Sequence, residues 1–215
     1  MARQVRAEKT RATIITAAAD LFDRQGYEAT SLSDIVEHAR VTKGALYFHF
    51  AAKEDLAHAI LELQSATCHR LARDTGARGR TSLEALMRLT FCVARLSAED
   101  PVLRAGLRLA TGTTRPRPPL SHPFTEWLDI VSARLAAAVE ESDVHPDADI
   151  DVVAHSLVCF FVGTQVVGRA REPAARGPRR TAEMWQLLIR GLVPVTRRAR
   201  YLSLAARLER EPAPL

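Results

Sequence analysis

The fold of this chain is decided by residues 41–50, which form the stretch Val41-Thr42-Lys43-Gly44-Ala45-Leu46-Tyr47-Phe48-His49-Phe50. We predict a short helix here, because the Thr42 hydroxyl can cap free backbone N–H groups and Val41 can pack on Leu46. Helical spacing places Leu46 on a side that docks on a core, and Lys43 and Tyr47 on another. A helix with one apolar face and one face carrying a cation and a phenol is typical of a helix that enters a DNA groove.

The residues before this stretch predict two more helices. Ser31 and Asp34 form a capping-box pattern that opens a helix, and its apolar positions recur at helical spacing: Leu32, Ile35, Val36 and Ala39. Because only two residues separate this helix from the next, the pair must cross sharply, as in a helix-turn-helix. An earlier amphipathic helix ends at Gly26. The three helices predict a DNA-binding unit, although many small helical units share this geometry.

The rest of the chain predicts a larger all-α domain. We place the helix-turn-helix domain at residues 1–53 and the helical domain at 54–215. Because 47% of the residues are hydrophobic, a substantial core is available. Helices are expected at about 53–74, 82–96, from 101, 124–139, 151–167, 181–193 and 199–208, with no strand. Segments 151–167 and 181–193 are apolar around more than one face, which indicates burial by a partner subunit. We therefore infer a homodimer, which suits a palindromic operator.

The basic leader has two interpretations. Residues 1–11 contain Arg3, Arg6, Lys9 and Arg11 against Glu8. They form either a frayed, solvated terminus or an arm that follows phosphates or enters the minor groove, with Arg3 and Arg6 as contacts.

Several classes of protein are not expected. The net charge of +5 is modest and does not by itself require a nucleic-acid partner. The first residues are polar, and no apolar run approaches the roughly 20 residues that span a bilayer, so we expect a cytoplasmic protein without a membrane partner. The three cysteines lack metal-ligand spacing and indicate reduced thiols, with a redox-sensing thiol as the alternative. Without a phosphate-binding glycine loop, a catalytic triad pattern or a zinc-binding helix, we expect no enzyme, metal or cofactor.

The motifs together resemble the tetracycline-repressor (TetR) family. The resemblance lies in Ala17-Ala18-Ala19-Asp20-Leu21-Phe22, Gly26-Tyr27, Thr30-Ser31-Leu32-Ser33-Asp34-Ile35 and the stretch 41–50. Beyond them, the chain is similar to the γ-butyrolactone autoregulator receptors at residues 83–86, 103–109 and 122–127. One position departs from the family pattern. The usual Ala-Gly-Val turn is Ala39-Arg40-Val41 here, and a non-glycine residue in the left-handed conformation costs about 1 kcal/mol.

The resemblance implies a set of DNA contacts. Lys43 is the candidate for a guanine edge in the major groove, Gly44 permits close approach, and Tyr47 matches a phosphate or thymine-methyl contact. Contacts to the DNA backbone are expected from Thr42, His49 and Lys53, with a histidine bonded inside the domain as the alternative for His49. Ser31 and Ser33 lie near a helix start, where exposed N–H groups favour phosphate.

The helical domain also offers candidates for an effector site. Its apolar wall would come from Met87, Phe91, Trp127, Phe160 and Phe161, and its polar anchors from Gln64, Thr90, Thr111 and Thr164. By resemblance, Trp127 matches the tryptophan that closes over a butyrolactone; for the others, ordinary core packing is the alternative. The expected function is a repressor that a small lactone-type ligand releases from its operator. The rival is a DNA-binding regulator with a filled core that answers to no butyrolactone or to another metabolite.

Overall fold

The computed structural model describes residues 1–112, 123–171 and 176–212, without the side chains of residues 2, 3, 123 and 168–171. These residues form ten α-helices and no strand: α1 (Ala2–Arg24), α2 (Leu32–Ala39), α3 (Lys43–His49), α4 (Lys53–Arg78), α5 (Ser82–Glu99), α6 (Pro101–Thr111), α7 (Pro123–Glu140), α8 (Ile150–Arg171), α9 (Gly177–Leu192) and α10 (Val195–Arg210). The predicted all-α class is confirmed. Residues 113–122 and 172–175 lie outside the described part of the chain. Helix α6 ends at Thr111, and α9 begins at Gly177, four residues before the expected start at 181.

Helix α1 is longer at its amino-terminal end than either interpretation of the basic leader assumed. It begins at Ala2, and its first turns include the side-chain hydrogen bond from Thr10 to the Arg6 carbonyl, at 2.9 Å. The Arg6 side chain is exposed, whereas that of Arg3 lies outside the described residues. The leader is therefore a helical extension with cations on it, because nothing in residues 2–11 breaks a helix.

The chain divides into two compact units, and the division differs from the predicted domain boundary. The first unit contains Met1–Thr67 and Asp100–Pro123, and the second contains Cys68–Glu99 and Phe124–Leu215. Helix α6 belongs to the first unit because its Ala105 and Leu109 are buried in the core that α1 to α4 build around residues such as Phe22 and Leu46. That pairing joins segments about 80 residues apart in sequence, which periodicity does not reveal.

The core of the second unit is centred on α5, most of whose residues are buried. Trp185 of α9 is buried against it, and its indole N–H donates to the Thr90 hydroxyl at 2.8 Å. The expected short tail at 199–208 is the longer helix α10, which buries Tyr201, Leu204, Ala205 and Leu208 in the same core. The carboxy-terminal end is thus an integral part of this unit.

Helix α8 exposes several large apolar side chains. Val152, Phe160, Val166 and Val167 are exposed, and Leu187 of α9 is 64% exposed. Within α8, the stretch Ile150–Val167 has a mean hydropathy of 1.7 and is 22% buried. Among the described helices, α8 is the one long and apolar enough to cross a membrane. The expectation that no segment approaches that length was wrong for this helix, because its sparse polar residues scarcely lower its hydropathy.

Candidate functional site

The entry to α2 is built as the sequence predicted. The backbone N–H of Asp34 donates to the Ser31 hydroxyl at 3.1 Å, and the Ser31 N–H donates to the Asp34 carboxylate at 2.8 Å. These two hydrogen bonds form a complete capping box. The bond from the Ser31 backbone N–H, followed by the one from its hydroxyl, lowers the pKa of Asp34 below its usual value. Ser31 and Ser33 are both exposed at this helix start.

Helix α3 separates a buried side from an exposed one. Thr42 caps it by accepting the Ala45 N–H at 3.1 Å, as predicted, and Leu46 is fully buried. Thr42, Lys43 and Gly44 are exposed, Tyr47 is 56% exposed, and His49 is half-buried. A Cβ placed on Gly44 would meet nothing nearer than the Thr42 hydroxyl at 4.0 Å. Because the protein itself leaves room for a side chain there, the bare backbone suits the close approach of a partner.

Phe48 is a functional candidate that the sequence reasoning did not assign. Its ring is 76% exposed and lies edge-on to His49, with the ring centroids 4.9 Å apart. With the neighbouring exposed ring of Tyr47 it forms an apolar patch on α3, and contiguous exposed apolar surface often marks an interaction site. The signal was present in the sequence, since Phe48 follows Gly44 by one helical turn, beside Lys43 and Tyr47.

Lys53 has a structural role in place of the predicted DNA contact. Its ammonium group donates to the carbonyls of Tyr27 at 2.8 Å, Thr30 at 3.0 Å and Glu28 at 3.4 Å. It also lies 4.4 Å from the centroid of the Tyr27 ring. The three N–H donors of the ammonium group are thus engaged in holding the loop between α1 and α2. This correction follows from contacts that span more than 20 residues of sequence.

The turn between α2 and α3 places Arg40 in the left-handed conformation, with φ 54° and ψ 43°. The Arg40 N–H donates to Glu37 O and the Val41 N–H to Val36 O, at 3.1 and 3.2 Å, which closes the end of α2. The strained turn that the sequence indicated is therefore present. The turn keeps normal backbone hydrogen bonds, and the Arg40 side chain remains exposed.

Three of the effector-site candidates are close to one another in the second unit. Trp127 on α7 is half-buried and stacks on Phe161 of α8, with the ring centroids 6.2 Å apart and the planes at 30°. Thr164 lies one turn further along α8, and its hydroxyl donates to the Phe161 carbonyl at 2.7 Å. These residues form an aromatic pair with one hydroxyl beside it.

Other candidates in this unit are core or surface residues. Met87 and Phe91 are fully buried, and the Thr90 hydroxyl donates to the Met87 carbonyl while accepting the Trp185 N–H, both at 2.8 Å. These three residues match the core-packing alternative. Phe160 is 38% exposed and does not belong to the buried core, so its proposed place in an apolar wall is corrected. Adjacent helical positions differ by about 100°, which separates it from Phe161.

The remaining two candidates belong to the first unit. Gln64 is buried, and its amide nitrogen donates to the Leu103 carbonyl at 3.4 Å, while its amide oxygen has no hydrogen-bond partner among the described residues. Gly106 leaves the space for this side chain, since a Cβ there would lie 2.4 Å from that oxygen. Thr111 is exposed and donates to the Leu107 carbonyl at 2.8 Å.

The cysteine environments argue against reactive thiolates at two positions. Burial, assisted by the charge of Glu126, raises the pKa of Cys68 to about 12. Burial also raises the pKa of Cys92 against the opposing effect of nearby arginines, Arg95 first. Both thiols therefore remain protonated at neutral pH, which weakens the redox-sensor alternative for them.

Comparison with known families gives two matches. Residues 14–60 match the model described as bacterial regulatory proteins, tetR family, and residues 80–194 match the tetracyclin repressor-like C-terminal domain. The second match alone covers more than half of the chain. Together they include the helix-turn-helix, the first two turns of α4, and the helices from α5 to α9.

Individual relatives are similar over most of the chain. The A-factor receptor protein of Streptomyces griseus is 35% identical over 189 residues, which are 88% of this chain and 66% of that protein. The chain thus spans just under two thirds of that relative's length. A crystal structure of a γ-butyrolactone receptor (ArpA-like protein) is 67% identical with a TM-score of 0.85, and CprB from Streptomyces coelicolor in complex with its operator is 70% identical with a TM-score of 0.88. Both alignments cover 96% of this chain and all of the compared chain.

Proposed function

Because the chain belongs to the TetR family of bacterial transcriptional regulators, we propose that it is a ligand-responsive repressor. It binds a palindromic operator as a homodimer and leaves it when a γ-butyrolactone-like molecule binds. The observation that carries this proposal is the exposed side of α3, where a cation, a bare glycine and two aromatic rings are presented by a helix capped at Thr42. The similarity to CprB, solved with its operator, supports the same function.

The proposed DNA interface assigns different tasks to the exposed residues of α2 and α3. Lys43 contacts a base edge in the major groove, and Gly44 lets the backbone come close. Tyr47 and Phe48 supply ring contacts to thymine methyl groups or to the sugar-phosphate backbone. The hydroxyl and imidazole groups fix the register without reading sequence, and they come from Ser31, Ser33, Thr42 and His49. The cations at the start of α1, Arg6 among them, add phosphate contacts.

The homodimer is proposed to form through the open apolar surfaces of α8 and α9. Exposed side chains such as Val152, Phe160 and Leu187 gain stability when a second copy removes them from water. Two copies related by a twofold axis present two α3 helices to a palindromic site. This arrangement gives Phe160 a role at the surface instead of in a pocket. A DNA partner also places the protein in the cytoplasm.

The effector is proposed to bind beside Trp127, Phe161 and Thr164. An aromatic pair suits the apolar part of a lactone-type signal, and a nearby hydroxyl suits its polar atoms. A γ-butyrolactone is favoured because the similar ArpA-like protein is named a γ-butyrolactone receptor. The ligand shifts the population of the dimer from a form that binds the operator to a form that does not. To change the ratio of the second form to the first from 1:99 to 99:1, the ligand must bind the second form more tightly by about 5.5 kcal/mol.

A second candidate function is a DNA-binding regulator that answers to no butyrolactone, or to another metabolite. It is favoured by the packing of Met87, Thr90 and Phe91, which are buried in the core with the Thr90 hydroxyl already hydrogen-bonded. In that case the aromatic pair at Trp127 and Phe161 is an ordinary packing contact. DNA binding is common to both candidates, so ligand response separates them.

The first experiment measures operator binding by gel shift. Palindromic operators are selected from random DNA, and the complex is then challenged with a panel of butyrolactones and butenolides. Release by one of these ligands supports the proposed receptor. A tight complex that none of them disturbs favours the second candidate, and failure to select any operator overturns both.

Two substitutions separate the parts of the mechanism. Lys43→Ala should weaken operator binding at least about 30-fold and relax base preference, because each of the two copies loses a base contact of about 1–3 kcal/mol. Arg73→Ala, which removes an exposed cation of α4 in the second unit, is the matched control. Trp127→Ala should keep DNA binding and lose release by ligand, while Trp127→Phe retains part of the response. Normal release from Trp127→Ala would make this residue a packing residue only.

A further inference from the structure

Arg40 occupies a backbone conformation that arginine rarely adopts. Among the described non-glycine residues, it shares a positive φ only with Ser142. At the corresponding place after α1, the chain uses Gly26, whose φ is +94°. A glycine at position 40 would accept φ 54° at almost no cost. A strained residue that the surrounding structure tolerates is more often found where the side chain has a task.

The Arg40 side chain has no task within the described part of the protein. It is exposed, and its guanidinium group makes no hydrogen bond or ion pair with any described residue. The nearest charged residues in sequence do not engage it. His38 pairs with Asp20 at 2.9 Å, and the exposed Glu37 makes no ion pair with it. The strained backbone at Arg40 is therefore not explained by any contact of its side chain within the described part of the protein.

The position of Arg40 is next to the amino-terminal end of α3. It precedes the N-cap Thr42 by two residues, and the exposed Lys43 and Gly44 follow directly. When a recognition helix enters the major groove by its amino-terminal residues, the turn before it comes near the phosphates that border the groove. A guanidinium group is planar, permanently charged and able to donate two parallel hydrogen bonds to a phosphate.

We propose that Arg40 is an additional phosphate-contacting residue, which strengthens operator binding without reading sequence. This inference rests on the proposed DNA-binding function. The strained turn at φ 54° thereby carries an exposed guanidinium group that can reach toward a phosphate. Each dimer gains two such contacts, one from each copy.

Three substitutions at position 40 separate charge from turn geometry. Arg40→Lys keeps the charge, Arg40→Asn removes it but tolerates the left-handed conformation, and Arg40→Gly removes both charge and strain. Operator affinity is measured between 50 and 200 mM salt. Each lost phosphate contact lowers the slope of log affinity against log salt by about 0.9, so the dimer loses about 1.8 with Asn or Gly. Over this fourfold range of salt, that difference changes the relative affinity roughly twelvefold.

The expected result is a pattern across the set. Arg40→Asn and Arg40→Gly lower the salt slope equally and weaken all sequences alike, Arg40→Lys keeps the wild-type slope, and Arg40→Gly also raises the melting temperature. The control Arg73→Asn, which removes an exposed cation of α4, leaves the salt slope unchanged. The proposal is overturned if Arg40→Asn and Arg40→Gly keep the wild-type slope, if only one of them lowers it, or if Arg40→Lys lowers it as Arg40→Asn does. If the wild-type protein binds no selected operator, the proposed function itself has failed.

Discussion

Replacement of Lys53 by methionine tests whether this residue stabilises the first unit or contacts DNA. The substitution keeps the length and the apolar stem of the side chain but removes the ammonium group. Three carbonyls, those of Tyr27, Glu28 and Thr30, then lose a charged donor at 2.8–3.4 Å. The loop between α1 and α2 loses its connection to the start of α4, and the Tyr27 ring loses its nearby cation.

The magnitude follows from these contacts. Hydrogen bonds to a charged group contribute about 1.5–3 kcal/mol in total at such a site, and Lys53 is only partly buried, so we expect a loss of roughly 2 kcal/mol. For a protein of this size, 1 kcal/mol shifts the melting temperature by about 2–4 °C, which gives a decrease of about 4–8 °C. The salt slope of DNA binding should stay at its wild-type value, because no phosphate contact is lost.

The assay is thermal and urea unfolding followed by circular dichroism, combined with gel shifts at several salt concentrations. Lys9→Met is the matched control for stability, since Lys9 is exposed and its ammonium makes no hydrogen bond or ion pair within the described residues. The reasoning is refuted if Lys53→Met has the melting temperature and the urea midpoint of the wild-type protein while the salt slope of its DNA binding falls. That result would return Lys53 to the DNA interface.

Three further predictions concern other parts of the chain. The lowered pKa of Asp34 means that its capping contribution to α2 is present above the ordinary aspartate range and is lost as pH falls through the lowered pKa. Ser31→Ala should raise that pKa part of the way, because it removes the hydroxyl bond and keeps the backbone N–H bond, as NMR titration of the carboxyl group would show. Leu187→Glu should weaken the dimer, as measured by analytical ultracentrifugation, because it places a charge in the proposed apolar interface. Val5→Glu, which changes an equally exposed apolar residue of α1, should leave the dimer unchanged. A Leu187→Glu variant that dimerises like the wild-type protein would remove α9 from the interface. Trp185→Phe should lower the free energy of unfolding by about 1–3 kcal/mol, since it removes a buried hydrogen bond and leaves a gap, and stability equal to wild type in urea titration would contradict the structure.

The local architecture of the DNA-binding unit could be predicted from short stretches of sequence. The cap at Thr42, the capping box at Ser31 and the positive φ at Gly26 and Arg40 were all predicted and are all present. These features depend on interactions within a few residues, where the identity of one side chain decides which backbone group is satisfied. The overall order of helices was predictable for the same reason, because breaks at proline and glycine are local signals.

The residues that share a core, and the side of a uniformly apolar helix that faces it, became known from the packing of distant segments. The assignment of α6 to the first unit, the bonding of Lys53 to a loop 23–26 residues earlier and the hydrogen bond from Trp185 to Thr90 all join distant segments. Helix α8 has apolar residues on every side, so its sequence carries no periodic signal to place Phe161 inside and Phe160 outside. The rotation of such a helix is set by the shapes it packs against, and those shapes exist only after the chain has folded.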